Sequence, residues 1–208
     1  MYGVNLRVGW LALANLAAAF SPVSPARAPR ELEVAVLGTA DDSRMAAVEE
    51  AVAFWNRELE AAGAGVRLGP TRVVDDSISD DALRGMSRSV VGGRGTGLPE
   101  EIEGIPGQVV IALSHADLVS FAIPWSRRNK GFVALRRADV PPLSLPNVAR
   151  NAAAHELGHV LGLPHNSDPS TLMCGRPAPC RPSLFASDTD RFFPLTDAEE
   201  RELRDNWP

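Results

Sequence analysis

The stretch His155-Glu156-Leu157-Gly158-His159-Val160-Leu161-Gly162-Leu163-Pro164-His165 decides how the rest of the chain is read. Its context is apolar and helix-compatible, and a helix is predicted from about Pro146 to Leu161. Residues four apart on a helix are separated by about 40° and one turn, so the imidazoles of His155 and His159 can meet one metal ion. Glu156 stands beside His155, where its carboxylate can reach a metal-bound water rather than the metal. Gly162 can take the left-handed conformation that ends a helix, and Pro164 prevents its resumption. The turn brings His165 back as a third ligand. Three nitrogen ligands leave one tetrahedral position open, as in catalytic zinc sites; structural sites are closed and usually use cysteine. A metal-free, histidine-rich helix end is opposed by the geometric reasons for Gly162 and His165. A purely structural metal is opposed by Glu156, an acid with no structural task beside apolar Leu157 and Ala153.

Working outward, 208 residues suffice for one domain with a sizeable core. A hydrophobic content of 45% and a charged content of 23% are globular, and the net charge of -5 argues against nucleic acid as a partner. Lys130 is the only lysine, read as compositional bias. Residues 1–28 have the pattern of a secretory signal peptide: Arg7, an apolar run Val8 to Phe20, and the small-x-small site Ala26-Arg27-Ala28. The run is 13 residues long, short for a bilayer span, which favours cleavage over an uncleaved anchor. Cleavage would remove Arg7 and Arg27 and no acid, leaving residues 29–208 as the mature domain and making the charge two units more negative. The expected location is extracellular or periplasmic. In such an oxidising compartment Cys174 and Cys180, with five residues between them, suggest one small disulfide loop. Cys174 as a fourth zinc ligand is the alternative.

Strands are predicted at Leu32–Leu37, Val66–Val74, Gln108–Leu113, Val119–Ile123 and Gly131–Arg136. Helices are predicted at Asp41–Ala62, which Gly63 stops, at Pro146–Leu161, and from Thr196, where Thr196 and Glu199 form a capping-box pattern with Leu203 and Trp207 facing inward. Asp75 to Gly107 is polar and glycine-rich and reads as a long surface loop with a short helix. The order implies an α+β domain with one mixed, twisted sheet of about five strands, an active-site helix, a backing helix and a C-terminal helix.

Eight residues after His165 comes Met173, in Ser170-Thr171-Leu172-Met173. With the extended histidine motif this resembles the metzincin peptidases, and is most similar to their matrixin-like branch. The resemblance implies a zincin-like fold and a turn that places Met173 beneath the zinc. Ala53-Phe54-Trp55-Asn56 is similar to the first matrixin helix, Gln108 to Leu113 to its third strand, Phe121-Ala122-Ile123-Pro124 to its substrate-binding edge strand, and Leu195-Thr196-Asp197 to the start of its last helix. Three features depart from the family pattern. Asn166 follows the third histidine, where each family carries its own residue. Cys174 replaces the aromatic after the methionine. No masking propeptide fits between Ala28 and Glu31.

These readings imply a secreted zinc-dependent endopeptidase with a zinc-activated water and Glu156 as general base. The only tyrosine is Tyr2, so zinc itself carries most of the oxyanion stabilisation. An extended substrate would add a strand at Ser120, Phe121, Ala122 and Ile123. The expected partner is a protein or peptide substrate, with the mature chain a monomer free of nucleic acid and of stable membrane insertion. A zinc hydrolase of cell-wall peptide and a non-catalytic binding protein on a peptidase scaffold are the competing functions; the intact Glu156 opposes the second. Asp75, Asp76, Asp80 and Asp81 could hold Ca2+, but without the spacing of a calcium loop they read as a solvated acidic loop. His115 with Asp117 reads as surface rather than a second metal site, and Gly92 to Gly97 lacks the ending of a phosphate loop.

Overall fold

The computed structural model describes residues 28–95, 97–126, 129–139, 143–175, 180 and 191–208. Residues 1–27, where a signal peptide is expected, and residues 176–179 between the cysteines lie outside them. Five strands form one sheet: β1 (Arg30–Leu37), β2 (Val66–Val74), β3 (Val109–Leu113), β4 (Phe121–Ile123) and β5 (Gly131–Leu135), in the order β2-β1-β3-β5-β4. All neighbours are parallel except the edge pair, where β4 runs antiparallel to β5. Helix α1 (Met45–Ala62) joins β1 to β2, and α4 (Pro146–Val160) follows β5. The chain ends in α5 (Asp197–Asn206). The α+β fold with a mixed five-stranded sheet is as the sequence predicts.

The strands alternate between two cores, as the period of two requires. Val34, Val36, Val109, Ile111, Val133, Leu135 and Ala122 face one cluster with Trp55 of α1, Leu157 of α4 and Leu203 of α5. Leu37, Val110, Ala112, Phe121, Ile123, Phe132 and Ala134 face the other. Two covered faces explain why β3 and β5 are apolar along their whole lengths.

The second cover is supplied by the segment expected to be a long surface loop with a short helix. It forms a twelve-residue helix, α2 (Asp80–Val91), and one turn, α3 (Glu100–Glu103). Ser79 caps α2 by accepting the Ala82 N–H (3.2 Å), and Leu83, Met86, Ile102 and Ile105 are buried against the sheet. Its glycines fall largely after α2, so the polar average over the segment hides an amphipathic turn pattern. Lys130, the one lysine, is buried beneath this cover and donates to the carbonyl oxygens of Ile102 (3.1 Å), Glu103 (3.0 Å) and Ile105.

Helix α1 begins at Met45 rather than Asp41, because residues 39–45 form turns closed by Asp42 N–H to Thr39 O (3.1 Å) and Met45 N–H to Asp42 O (2.9 Å). Arg44 is buried there. It pairs with Asp42 (2.6 Å) and donates to Ser114 O (2.7 Å) and Leu135 O (3.0 Å), tying the start of α1 to the ends of β3 and β5. Val119 and Ser120 stay outside β4: Ser87 Oγ accepts the Val119 N–H (3.2 Å) and donates to its carbonyl (2.9 Å). Among the described residues no helix is long and apolar enough to cross a membrane.

Candidate metal centre and active site

Helix α4 carries the first two histidines. Its end is a Schellman turn: Gly162 N–H bonds His159 O (3.1 Å), Leu163 N–H bonds Gly158 O (3.0 Å), and Gly162 has φ 99. A Cβ at 162 would lie 2.7 Å from Asn206 Nδ2, a side-chain end that can turn aside, so it is the positive φ that calls for glycine. The turn reverses the chain and returns His165 toward the helix.

The three imidazoles converge. His165 Nε2 lies 3.2 Å from His155 Nε2 and 3.0 Å from His159 Nε2. Among the described residues this is the only group of three or more His, Cys, Asp or Glu side chains whose ligand atoms meet, all within 4.8 Å. A tetrahedral ion with arms of 2.0–2.1 Å places its nitrogens about 3.3 Å apart, so the cluster fits zinc. The tautomers fit as well. His155 Nδ1–H donates to Leu172 O (2.8 Å) and His159 Nδ1–H to Leu163 O (2.8 Å), which leaves both Nε2 lone pairs aimed inward. Burial pushes the His159 pKa down to about 4, helped by His165 and opposed by the bond to Leu163 O, so His159 is a neutral ligand near pH 7.

Glu156 is half-buried, and desolvation raises its carboxyl to about 8.

Met173 is fully buried beneath the ligand-bearing turn of α4. A Cβ on Gly158 would lie 2.5 Å from Met173 Sδ and 2.9 Å from Trp55 Cζ2. Glycine at 158 therefore lets methionine and tryptophan seat directly under the helix between the two histidines. Trp55 Nε1–H is fixed on Ala154 O (2.8 Å). Cys174 and Cys180 are disulfide-bonded, with Cα atoms 5.8 Å apart. Beside that bond, a Cβ on Gly175 would strike the His165 ring at 2.1 Å, so the backbone there lies flat against the third imidazole.

The proposed substrate strand occupies the sheet edge, but the side chains of Phe121, Ala122 and Ile123 are all buried. Ser120 is engaged internally, its Oγ accepting Arg136 N–H (3.1 Å). Only the backbone of β4 is placed for recognition. His115 is exposed, Asp117 lies 3.7 Å from Arg136, and Asp81 pairs with Arg84 (2.8 Å) at the start of α2.

The sequence places Glu199 in the capping box at Thr196 rather than at the site, and assigns Gly158 and Gly175 no role there. A glycine inside a predicted helix was the available signal for Gly158. The capping pattern marks Glu199 as a helix cap only, and no sequence signal sets Gly175 against His165.

The matrixin family model, peptidase M10, matches residues 141–189. No curated protein sequence matches the chain. Among solved structures, archaemetzincin from Methanopyrus kandleri is similar at 15% identity and a TM-score of 0.48, over 88% of this chain and 98% of that one. The family match spans all three histidines, Glu156 and Met173, so the converging imidazoles lie in the part of the chain that is similar to the matrixin peptidases.

Proposed function

We propose that the protein is an exported zinc-dependent endopeptidase in which His155, His159 and His165 hold the ion and Glu156 is the general base. The observation that carries this reading is the convergence of three Nε2 atoms with both helical tautomers fixed by carbonyl oxygens. Bound zinc supplies Lewis acidity, acidifying water and polarising a carbonyl oxygen. Glu156 takes the proton of the attacking water and delivers it to the leaving nitrogen. The backbone of β4, at the sheet edge, offers an extended peptide a strand to pair with, and a chain laid along an edge can continue past it in both directions, which favours internal cleavage. Export is supported by the pattern of residues 1–28 and by the Cys174–Cys180 disulfide, a bond of oxidising compartments.

The test is Glu156→Gln, which keeps shape and removes the base. Zinc content should stay at one per chain, while hydrolysis of a mixed peptide library falls by at least about 100-fold. Chelation should abolish wild-type hydrolysis and zinc restore it. Turnover by the variant at the wild-type rate would remove Glu156 from the mechanism.

A further inference from the structure

His155 and His159 are fixed by a helix, but His165 lies beyond the Schellman turn and needs another anchor. The residue after it supplies one. Asn166 uses every polar group it has. Its N–H donates to Met173 O (2.9 Å), and its carbonyl accepts Gly175 N–H (3.2 Å), forming a bridge across to Cys174. Its Oδ1 accepts Asp168 N–H (2.9 Å) and the Thr171 hydroxyl (3.1 Å). Its Nδ2 donates to Thr171 Oγ1 (2.8 Å) and to Glu199 Oε1 (2.6 Å). Glu199 is buried at 5% exposure, and its other oxygen accepts the Thr196 N–H (2.7 Å) that opens α5.

We propose that Asn166, locked by Glu199, is a positioning residue for the third zinc ligand: it couples the His165 arm, the Met173 turn and the C-terminal helix into one unit. The inference rests on the zinc reading above. The capping box would exist without Asn166, because Thr196 and Glu199 satisfy each other's backbone N–H groups. The second Glu199 oxygen is therefore given over to Asn166 in addition to the cap. Loss of the amide would leave that buried oxygen unpaired and free the segment that holds His165 against Gly175.

The experiment measures zinc affinity by chelator competition, at a temperature where circular dichroism shows every variant folded. Asn166→Ala should weaken zinc binding by about 10–100-fold, the usual cost of losing support behind a metal ligand. Asn166→Asp should be at least as weak, because it sets one carboxylate against another. Asn166→Asp combined with Glu199→Gln reverses donor and acceptor, and should recover affinity to within a few-fold of wild type. Urea unfolding of the metal-free proteins separates the alternative. A residue that only stabilises the fold would lower the unfolding midpoint and leave zinc affinity of the folded protein unchanged. Affinity within twofold of wild type in folded Asn166→Ala would overturn the proposal, as would failure of the reversed pair to recover. If Asn166→Ala does not fold, Glu199→Gln alone keeps the cap and reads the same bond; unchanged affinity there is equally fatal. Absence of zinc binding by the wild-type chain would instead bring down the zinc reading, and this inference with it.

Discussion

Replacing Gly158 by alanine would set a methyl group 2.5 Å from Met173 Sδ and 2.9 Å from Trp55 Cζ2, inside contact distance for both. In an ordinary helix interior the change would stabilise by about 1 kcal/mol through propensity. Here the methyl has no space. Trp55 is fully buried and pinned by its bond to Ala154 O, so Met173 must move, and it too is fully buried. Overpacking of this kind costs about 1–3 kcal/mol, which cancels the propensity gain and leaves a net loss of up to about 2 kcal/mol. For a domain of this size a loss of about 2 kcal/mol is a fall in the unfolding midpoint of about 4–8 °C. Zinc affinity should fall too, because Met173 follows Leu172, whose carbonyl orients His155. A double-mutant cycle isolates the contact. Met173→Ala alone should cost about 2–5 kcal/mol by leaving a cavity. In that background Gly158→Ala should become nearly neutral, a coupling of about 1 kcal/mol or more. Urea unfolding of the four metal-free proteins measures it. A Gly158→Ala protein more stable than wild type by the propensity gain of about 1 kcal/mol, or additivity within about 0.5 kcal/mol, would show that the close approach does not constrain the site.

Three other perturbations have defined signs. Arg44 holds the Asp42 carboxyl below its ordinary pKa, so the pair's contribution is complete above the unfolded carboxylate value and is lost as pH falls through the lowered one; Asp42→Asn should flatten the acid limb of stability against pH in urea titrations. Lys130→Met should lose about 2–4 kcal/mol, because the carbonyls of Ile102, Glu103 and Ile105 lose their shared donor, and hydrogen exchange should rise first around α3. Cys174→Ser with Cys180→Ser should lower stability by about 2 kcal/mol, from the closure entropy of so short a loop. Because the cysteines are bonded to each other, that pair of changes should leave the zinc stoichiometry at one; loss of zinc on elemental analysis would revive Cys174 as a ligand.

The sequence by itself determined the histidine helix, its stop at Gly162 and the return of His165, because periodicity, handedness and backbone restriction act within about a dozen residues. It determined the capping box at Thr196 and the strand positions for the same reason. Tertiary structure decided what lies far apart in the chain. That α2 and α3 cover the second face of the sheet depends on a sheet buried on both sides, which no local window of Asp75–Gly107 displays. That Gly158 must lack a side chain depends on Met173 and Trp55 arriving from elsewhere. Asn166 looked like a mere departure from a family pattern until Glu199, 33 residues on, came within 2.6 Å of it. Local torsional preferences are written residue by residue, whereas close approach and hydrogen-bond pairing between distant segments exist only after the chain has packed.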